Sequence, residues 1–201
     1  MRRRGMKAVV IGITGSPGCG KSYFSKMLLR SLGTAESIEL SELAIRSGFV
    51  IGRDKDGTSL VDIGRLAAAV RKRIRRATTP ILIVGHLLPE LGIKVDIMVV
   101  VRAPLSLMRS RLAARHYTLS KMSDNIICEA LDYCGEMSVG KSRELYEVET
   151  AAGKKAVISY ITARCSGKKA QYPKSESTDK LGELACMIAK RQVLQFTPSK
   201  S

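Results

Sequence analysis

KAVVIGITGSPGCGKSYFSKMLLRSL, residues 7–32, joins three patterns in the order strand, glycine loop, helix. Lys7 to Thr14 is a short run rich in β-branched residues that ends at glycine, the pattern of a buried strand. Lys21 to Leu32 places Phe24, Met27, Leu28 and Leu32 at helical spacing. Between them, Gly15-Ser16-Pro17-Gly18-Cys19-Gly20-Lys21-Ser22 fits the P-loop order of glycine, four residues, glycine, lysine and serine. Glycines tolerate positive φ and let backbone amides approach phosphate oxygens that a side chain would obstruct. The helix N-terminus behind them adds partial positive charge. In such a loop Lys21 reaches the β and γ phosphates of ATP as a point charge, and the Ser22 hydroxyl ligates Mg²⁺. Cys19 reads as a small spacer with a backbone role, not as a nucleophile. A chance glycine turn before a surface lysine would not need strand, spacing and helix to agree, and here all three do.

Outward from this unit the pattern predicts an α/β fold with a parallel sheet covered on both faces. Ser37 to Leu40 suggests a second short strand and Ser41 to Arg46 a small helix. Gly48 to Asp62 breaks into Gly, Asp, Lys and Ser, a mobile loop or hairpin, before a helix over Ile63 to Arg76. Ile81 to Val84 and Val95 to Val101 are short apolar runs that read as strands. Pro104 opens a helix through Arg115, and a second helix, capped near Ser123 or Asp124, runs past Leu131 towards Thr150, with His116 to Met122 as a break that could hinge. Ala156 to Ile161 reads as the last strand, Cys165 to Ser177 as a loose segment, and Thr178 to Gln192 as a closing amphipathic helix.

A chain of 201 residues is expected to form a single domain over residues 1–201. Thirty-four Lys and Arg against 18 Asp and Glu give a net charge of +16, which attracts polyanions such as nucleotides and RNA or is simply a solvated surface. Aromatic residues are 4% of the chain and Trp is absent, so base-stacking platforms are not expected. Five cysteines at scattered positions lack a Cys-x-x-Cys pair, and with two histidines they favour neither a disulfide framework nor a zinc site. The apolar run over 8–14 is too short for an export signal, and no stretch reaches the roughly 20 apolar residues that cross a bilayer. A soluble, cytoplasmic protein with no membrane partner is the expectation.

The loop and two later stretches resemble the adenylate kinase isoenzyme 6 family, small P-loop kinases that also act as ATPases in small-ribosomal-subunit maturation. Ser41-Glu42-Leu43-Ala44 is similar to the segment that opens its AMP-side clamp. Arg111-Leu112-Ala-Ala-Arg115-His116-Tyr117, followed by Asp124-Asn125 and Glu129, resembles its lid, with His116 standing where the family has Gly. The likeness covers about residues 7–150. It implies a three-layer P-loop fold of the nucleoside monophosphate kinase type, with an NMP-binding segment near 39–62 and a lid near 114–124. It also implies that Gly18, Gly20, Lys21, Ser22 and Tyr23 contact ATP and that Arg115 reaches over it. Independently of the resemblance, Arg111 and Arg115 are four apart and would share one helix face, where two guanidiniums could clamp a transferring phosphoryl group or form a solvated surface.

The match fails in two places: the AMP-side clamp, generally acidic in the family, is the mixed Arg53-Asp-Lys-Asp56-Gly here, and a metal-binding acid is missing. The family carries an acid at the end of its third strand, shortly before a His, to help hold Mg²⁺ and orient water. Here the strand ends Ile81-Leu-Ile-Val84-Gly85-His86, so Val84 offers no carboxylate and Glu42 or Asp62 are candidates to stand in. His86 could orient a water or phosphate, or be a packed structural residue. Asp96, at the start of a strand, lies at the end away from an α/β crevice. Arg71 to Arg76 is densely basic, a solvated helix face or a contact to RNA phosphates. Three functions are compatible with these residues. The first is an adenylate kinase using ATP, Mg²⁺ and AMP or another nucleoside monophosphate, with Lys21, Arg111, Arg115 and His86 as catalytic residues. The second is a nucleotide-switched assembly factor that binds a small-subunit ribosomal protein or rRNA with weak or no kinase activity. The third is a kinase for another small acceptor.

Overall fold

The computed structural model describes residues 8–54, 57–176 and 180–190. In chain order its elements are β1 (Val10–Thr14), α1 (Lys21–Leu32), β2 (Glu36–Glu39), α2 (Leu40–Arg46), β3 (Val50–Arg53), β4 (Ser59–Val61), α3 (Ile63–Arg76) and β5 (Ile81–Val84). A 3₁₀ turn at Leu88–Leu91 leads to β6 (Val95–Val101), α4 (Leu105–Ala113), α5 (Leu119–Ala130), the short α6 (Tyr133–Glu136), β7 (Ser142–Val148), α7 (Ala151–Cys165) and α8 (Lys180–Ala189).

Five strands form one sheet in the order β2-β5-β1-β6-β7, and all its pairs are parallel. β1 and β5 are buried at every position, which is why they read as unbroken apolar runs. Alternation along the strands builds two cores. Ile11, Ile13, Leu82, Val84, Ile97 and Val99 face the side that α1 closes with Phe24 and Leu28. Val10, Ile38, Ile81, Ile83 and Met98 face the side closed by Leu43 of α2 and Leu66 and Val70 of α3. Phe24, Leu28, Leu66 and Val70 have no exposed surface, and each such side chain contributes about 1.5–3 kcal/mol of burial. The three-layer α/β architecture is the one expected, and its sheet order places β1 at the centre, with the glycine loop at the end of the central strand.

The segment over 48–62 is a hairpin, β3 against β4 antiparallel; residues 55 and 56 at its tip, and the Lys7 end of the first predicted strand, lie outside the described residues. The boundaries expected for α1, α3, β5 and β6 coincide with the structure. The region after Pro104 differs. The single long helix expected from Ser123 or Asp124 towards Thr150 is three elements, α5, α6 and β7. α5 starts earlier, at Leu119, because the Thr118 hydroxyl accepts from the Lys121 amide, so only residues 114–118 form the break.

Ala156 to Ile161 is not a strand but the middle of α7. Val157, Ile158, Tyr160 and Ile161 line one helical face in the core beneath α1, and Thr150 caps the helix by accepting from the Gly153 amide. The last strand is instead β7 at the sheet edge. Its Glu144 is occupied by α7, accepting from the Tyr160 hydroxyl at 2.7 Å and pairing with Arg164 at 3.5 Å. The segment expected to be loose is held at its end over 172–176. Tyr172 packs on Tyr160 with centroids 5.2 Å apart, the Ser175 hydroxyl accepts from the Glu147 amide, and Glu176 accepts from the amides of Glu149 and Thr150. The closing helix is present as α8; its expected ends at Thr178 and Gln192 lie outside the described residues. Among the described residues no helix is long and apolar enough to cross a membrane, and each of the five cysteines is a free thiol.

Candidate functional site

The loop of residues 15–20 turns back over the end of β1 with three glycines in the left-handed half of backbone space, Gly15 at φ 134°, Gly18 at 91° and Gly20 at 103°. Gly15 is additionally fixed by space, since a Cβ there would collide with the Val101 carbonyl oxygen and lie 2.9 Å from Cys19 Sγ. α1 starts directly after Gly20 with no side-chain cap, and among the described residues the amides of Gly20, Lys21 and Ser22 find no acceptor. These are the orphan donors of a helix N-terminus, and they converge where the dipole is positive.

Lys21 curls over this loop. Its ammonium donates to the Gly15 carbonyl at 2.7 Å and the Ser16 carbonyl at 2.9 Å, and among the described residues no carboxylate lies within ion-pair distance. The charge is thus parked on dipoles and free to turn to an anion. Ser22 and Tyr23 are exposed at the mouth, Tyr23 with 66% of its surface open. Two buried hydroxyls beside the loop, Thr14 Oγ1 and Ser16 Oγ, have no hydrogen-bond partner among the described residues. Convergent free amides, an unpaired ammonium and orphan hydroxyls fit a phosphate chain, and the Ser22 hydroxyl fits the hard-oxygen preference of Mg²⁺. Cys19 is buried, and burial pushes its thiol up against the opposing pull of Lys21, so it stays protonated and is no nucleophile.

The remaining expected residues separate. Arg111, in the last turn of α4, donates from Nη1 to the Gly18 carbonyl at 2.9 Å and so packs directly on the loop. Arg115 does not share its helix face, because α4 ends at Ala113 and Arg115 stands exposed in the turn that follows. His116 in that turn has φ 58°, the conformation for which glycine is the natural residue. His86 follows Gly85 at the end of β5. Its edge is open to solvent, yet crowding by the surrounding protein and then the Lys21 charge lower its pKa to about 4, so it is neutral at pH 7.

Both acids proposed to stand in for the Val84 position have partners of their own. Glu42 pairs with Arg46 at 3.6 Å on an exposed face, and Asp62 caps α3 by accepting from the Arg65 amide at 2.9 Å. Asp96 lies at the far end of the sheet as expected, accepting from the Val10 amide. Two residues near the loop escaped sequence reasoning. Lys154, in the first turn of α7, donates to the Glu149 carbonyl at 2.6 Å, and its pKa is lowered by burial first and by Arg111. Glu39, the last residue of β2, is a carboxyl whose pKa is raised by burial first and then by Glu42, with Lys21 and Lys26 opposing. A helix where a strand was expected hid the first, and an unknown strand register hid the second.

Beside the loop, Arg102 at the end of β6 is buried among acids. Its Nε donates to Glu129 Oε1 at 2.6 Å, Nη1 to Asp132 and to Glu147 Oε2 at 3.0 Å, and Nη2 to the Glu129 carbonyl at 3.0 Å. This ties α5 and the following turn to β6 and β7.

A glycine loop between the central strand and first helix of a parallel sheet, with an unpaired lysine over free amides, defines a P-loop α/β domain of the nucleoside monophosphate kinase type. Comparison with known proteins agrees. A family model described as an AAA domain matches residues 11–132. A Pyrococcus abyssi protein named "Putative adenylate kinase" is 32% identical over 142 residues, covering 71% of this chain and 75% of its own. One of the same name from Methanocaldococcus jannaschii is 33% identical over 143 residues, covering 70% and 76%. The chain belongs to this AAA-domain P-loop family and is a relative of these archaeal proteins. The structure of shikimate kinase from Acinetobacter baumannii in complex with shikimate superposes with a TM-score of 0.55 at 15% identity, over 82% of this chain and 96% of that one, a likeness of fold alone.

Proposed function

We propose that the chain is an ATP:AMP phosphotransferase, making two ADP from ATP and AMP, with residues 1–201 as one kinase domain. The relatives' names support a nucleotide kinase, and the observation that carries the reading is the Lys21 ammonium, held on carbonyls above amides that lack acceptors. An oxygen of the AMP phosphate bonds to the γ-phosphorus as the bond from that phosphorus to the bridging oxygen breaks, so negative charge grows on the ADP leaving group. The amides of Gly15, Gly18, Gly20, Lys21 and Ser22 orient the triphosphate, with that of Cys19, which donates to the Ser16 carbonyl at 3.3 Å, turning to it when it binds; Lys21 and Arg111 stabilise the spreading charge, and Tyr23 borders the nucleotide. Arg115 approaches from the lid near 114–124, and the AMP segment spans about 39–62. Neutral His86 orients a phosphate oxygen or water without adding charge. The Ser22 hydroxyl would hold Mg²⁺, which would supply neutralisation of phosphate charge.

The test is ADP formation from ATP and AMP with Mg²⁺. Turnover that requires AMP and is lost in Lys21→Ala is expected; wild-type protein with no AMP-dependent turnover at saturating nucleotide contradicts the reading.

One observation favours a second role, a nucleotide-switched assembly factor with ATPase activity acting on the small ribosomal subunit. Arg71, Lys72, Arg73, Arg75 and Arg76 of α3 are all exposed, a dense cationic row suited to rRNA phosphates. RNA affinity that falls with salt and changes with ATP supports this role; equal affinity with and without ATP at several salt concentrations contradicts it.

A further inference from the structure

We propose that Glu39 is the carboxylate that holds the nucleotide's divalent cation, directly or through a water, in place of the acid missing at Val84. The proposal rests on the nucleotide reading above and names the side chain that completes that site. β2 and β5 are parallel neighbours, and Glu39 is the residue opposite Val84, which in turn pairs with Ile13 just before the glycine loop. Residues paired across a parallel ladder point to the same face of a sheet. Val84 belongs to the core beneath α1, whereas Ile38, one residue before Glu39, belongs to the core on the opposite face. The Glu39 side chain therefore leaves the sheet on the side of α1, one strand spacing, about 4.8 Å, from where an acid at Val84 would leave it. On that side α1 begins with Lys21 and Ser22, the point charge and the hydroxyl of the phosphate site.

The electrostatics of the position ask for a cation. Glu39 feels Lys21 and Lys26 but makes no ion pair with either, and among the described residues its carboxylate has no hydrogen-bond partner. Burial and the Glu42 charge work against its ionised form. A half-buried, unpartnered carboxylate beside a triphosphate site would repel the ligand unless a hard cation stood between them, and oxygen-rich coordination by carboxylate, hydroxyl and phosphate is what Mg²⁺ takes. Of the other acids considered, Glu42 faces solvent beside Arg46, Asp62 caps α3, and Asp96 lies at the opposite end of the sheet.

Calorimetric titration of ATP, with EDTA and with Mg²⁺, and Mn²⁺ paramagnetic resonance on the ATP complex test this without any turnover. Wild-type protein should bind ATP more tightly with Mg²⁺ than in EDTA. Glu39→Gln should retain or improve binding in EDTA, which also shows that it folds, and should lower Mn²⁺ affinity in the ternary complex about 10–100-fold. Adding Val84→Glu to Glu39→Gln should restore metal affinity, since the acid returns to the adjacent strand end. ATP uptake by wild type with metal enhancement unchanged in Glu39→Gln overturns the assignment alone, as does wild-type binding with no metal enhancement. No ATP uptake by wild type in either condition overturns the nucleotide reading together with the assignment.

Discussion

Lys21 and Arg102 stand at the mouth of neighbouring strands, and the fold treats them in opposite ways. Arg102 is buried and surrounded by Glu129, Asp132 and Glu147; burial disfavours its charge, but the three acids more than compensate and raise its pKa. Lys21 has carbonyl oxygens as its partners and free amides as neighbours. A cation neutralised by three acids is a strut, because no ligand can compete for it. One held on dipoles keeps its attraction for anions.

The largest effect that could break this comparison is on stability. Arg102→Met should destabilise the fold by about 3–5 kcal/mol in denaturant titration, because it leaves the buried Glu129 carboxylate and its neighbours uncompensated. A loss below about 1 kcal/mol would mean that the network is not a strut. Lys21→Ala should show the inverse profile. Its unfolding midpoint should stay within about 0.5 kcal/mol of wild type, while phosphoryl transfer falls about 10²–10³-fold.

A smaller effect concerns the turn between the helices that Arg111 and Arg102 anchor. His116 occupies the left-handed region, so His116→Gly should stabilise the protein by up to about 1 kcal/mol in thermal melts, without changing metal-free ATP affinity. The smallest is a titration that reads the Lys21 field directly. His86, ordinarily near 6.5, is lowered to about 4, so the unfolded chain binds its proton first and stability should decline as pH falls from 6.5 towards 4. Imidazole resonances should report that low value, and Lys21→Ala should raise it, burial still holding it below 6.5.

Legibility in the sequence followed how local the determinants are. α1, α3, β5 and β6 were readable to the residue, because Lys21–Leu32 and Ile63–Arg76 carry their periodicity within themselves and the two strands are continuous apolar runs. The glycine loop was equally plain, since its spacing of glycine, lysine and serine sits in eight consecutive residues. Ala156 to Ile161 misled because six apolar and small residues satisfy either period, and only the Thr150 cap and the α1 face decide for helix. β7 was missed for the converse reason. Its charges, Arg143, Glu144 and Glu147, look like a surface segment until α7 supplies a partner for Glu144 and Arg102 one for Glu147. The replacement for the Val84 acid was out of reach, because the register that sets Glu39 beside Val84 is a tertiary fact between segments 45 residues apart.

The central claim is that the amides at the start of α1 and the Lys21 ammonium together receive a triphosphate. Backbone amide chemical-shift mapping during titration with ATP tests it most directly. Gly18, Gly20, Lys21 and Ser22 should show the largest shifts, and Lys21→Ala should abolish them while the rest of the spectrum is kept. Saturation with ATP that leaves those four amides unmoved, or moves only amides far from the loop, would contradict the account.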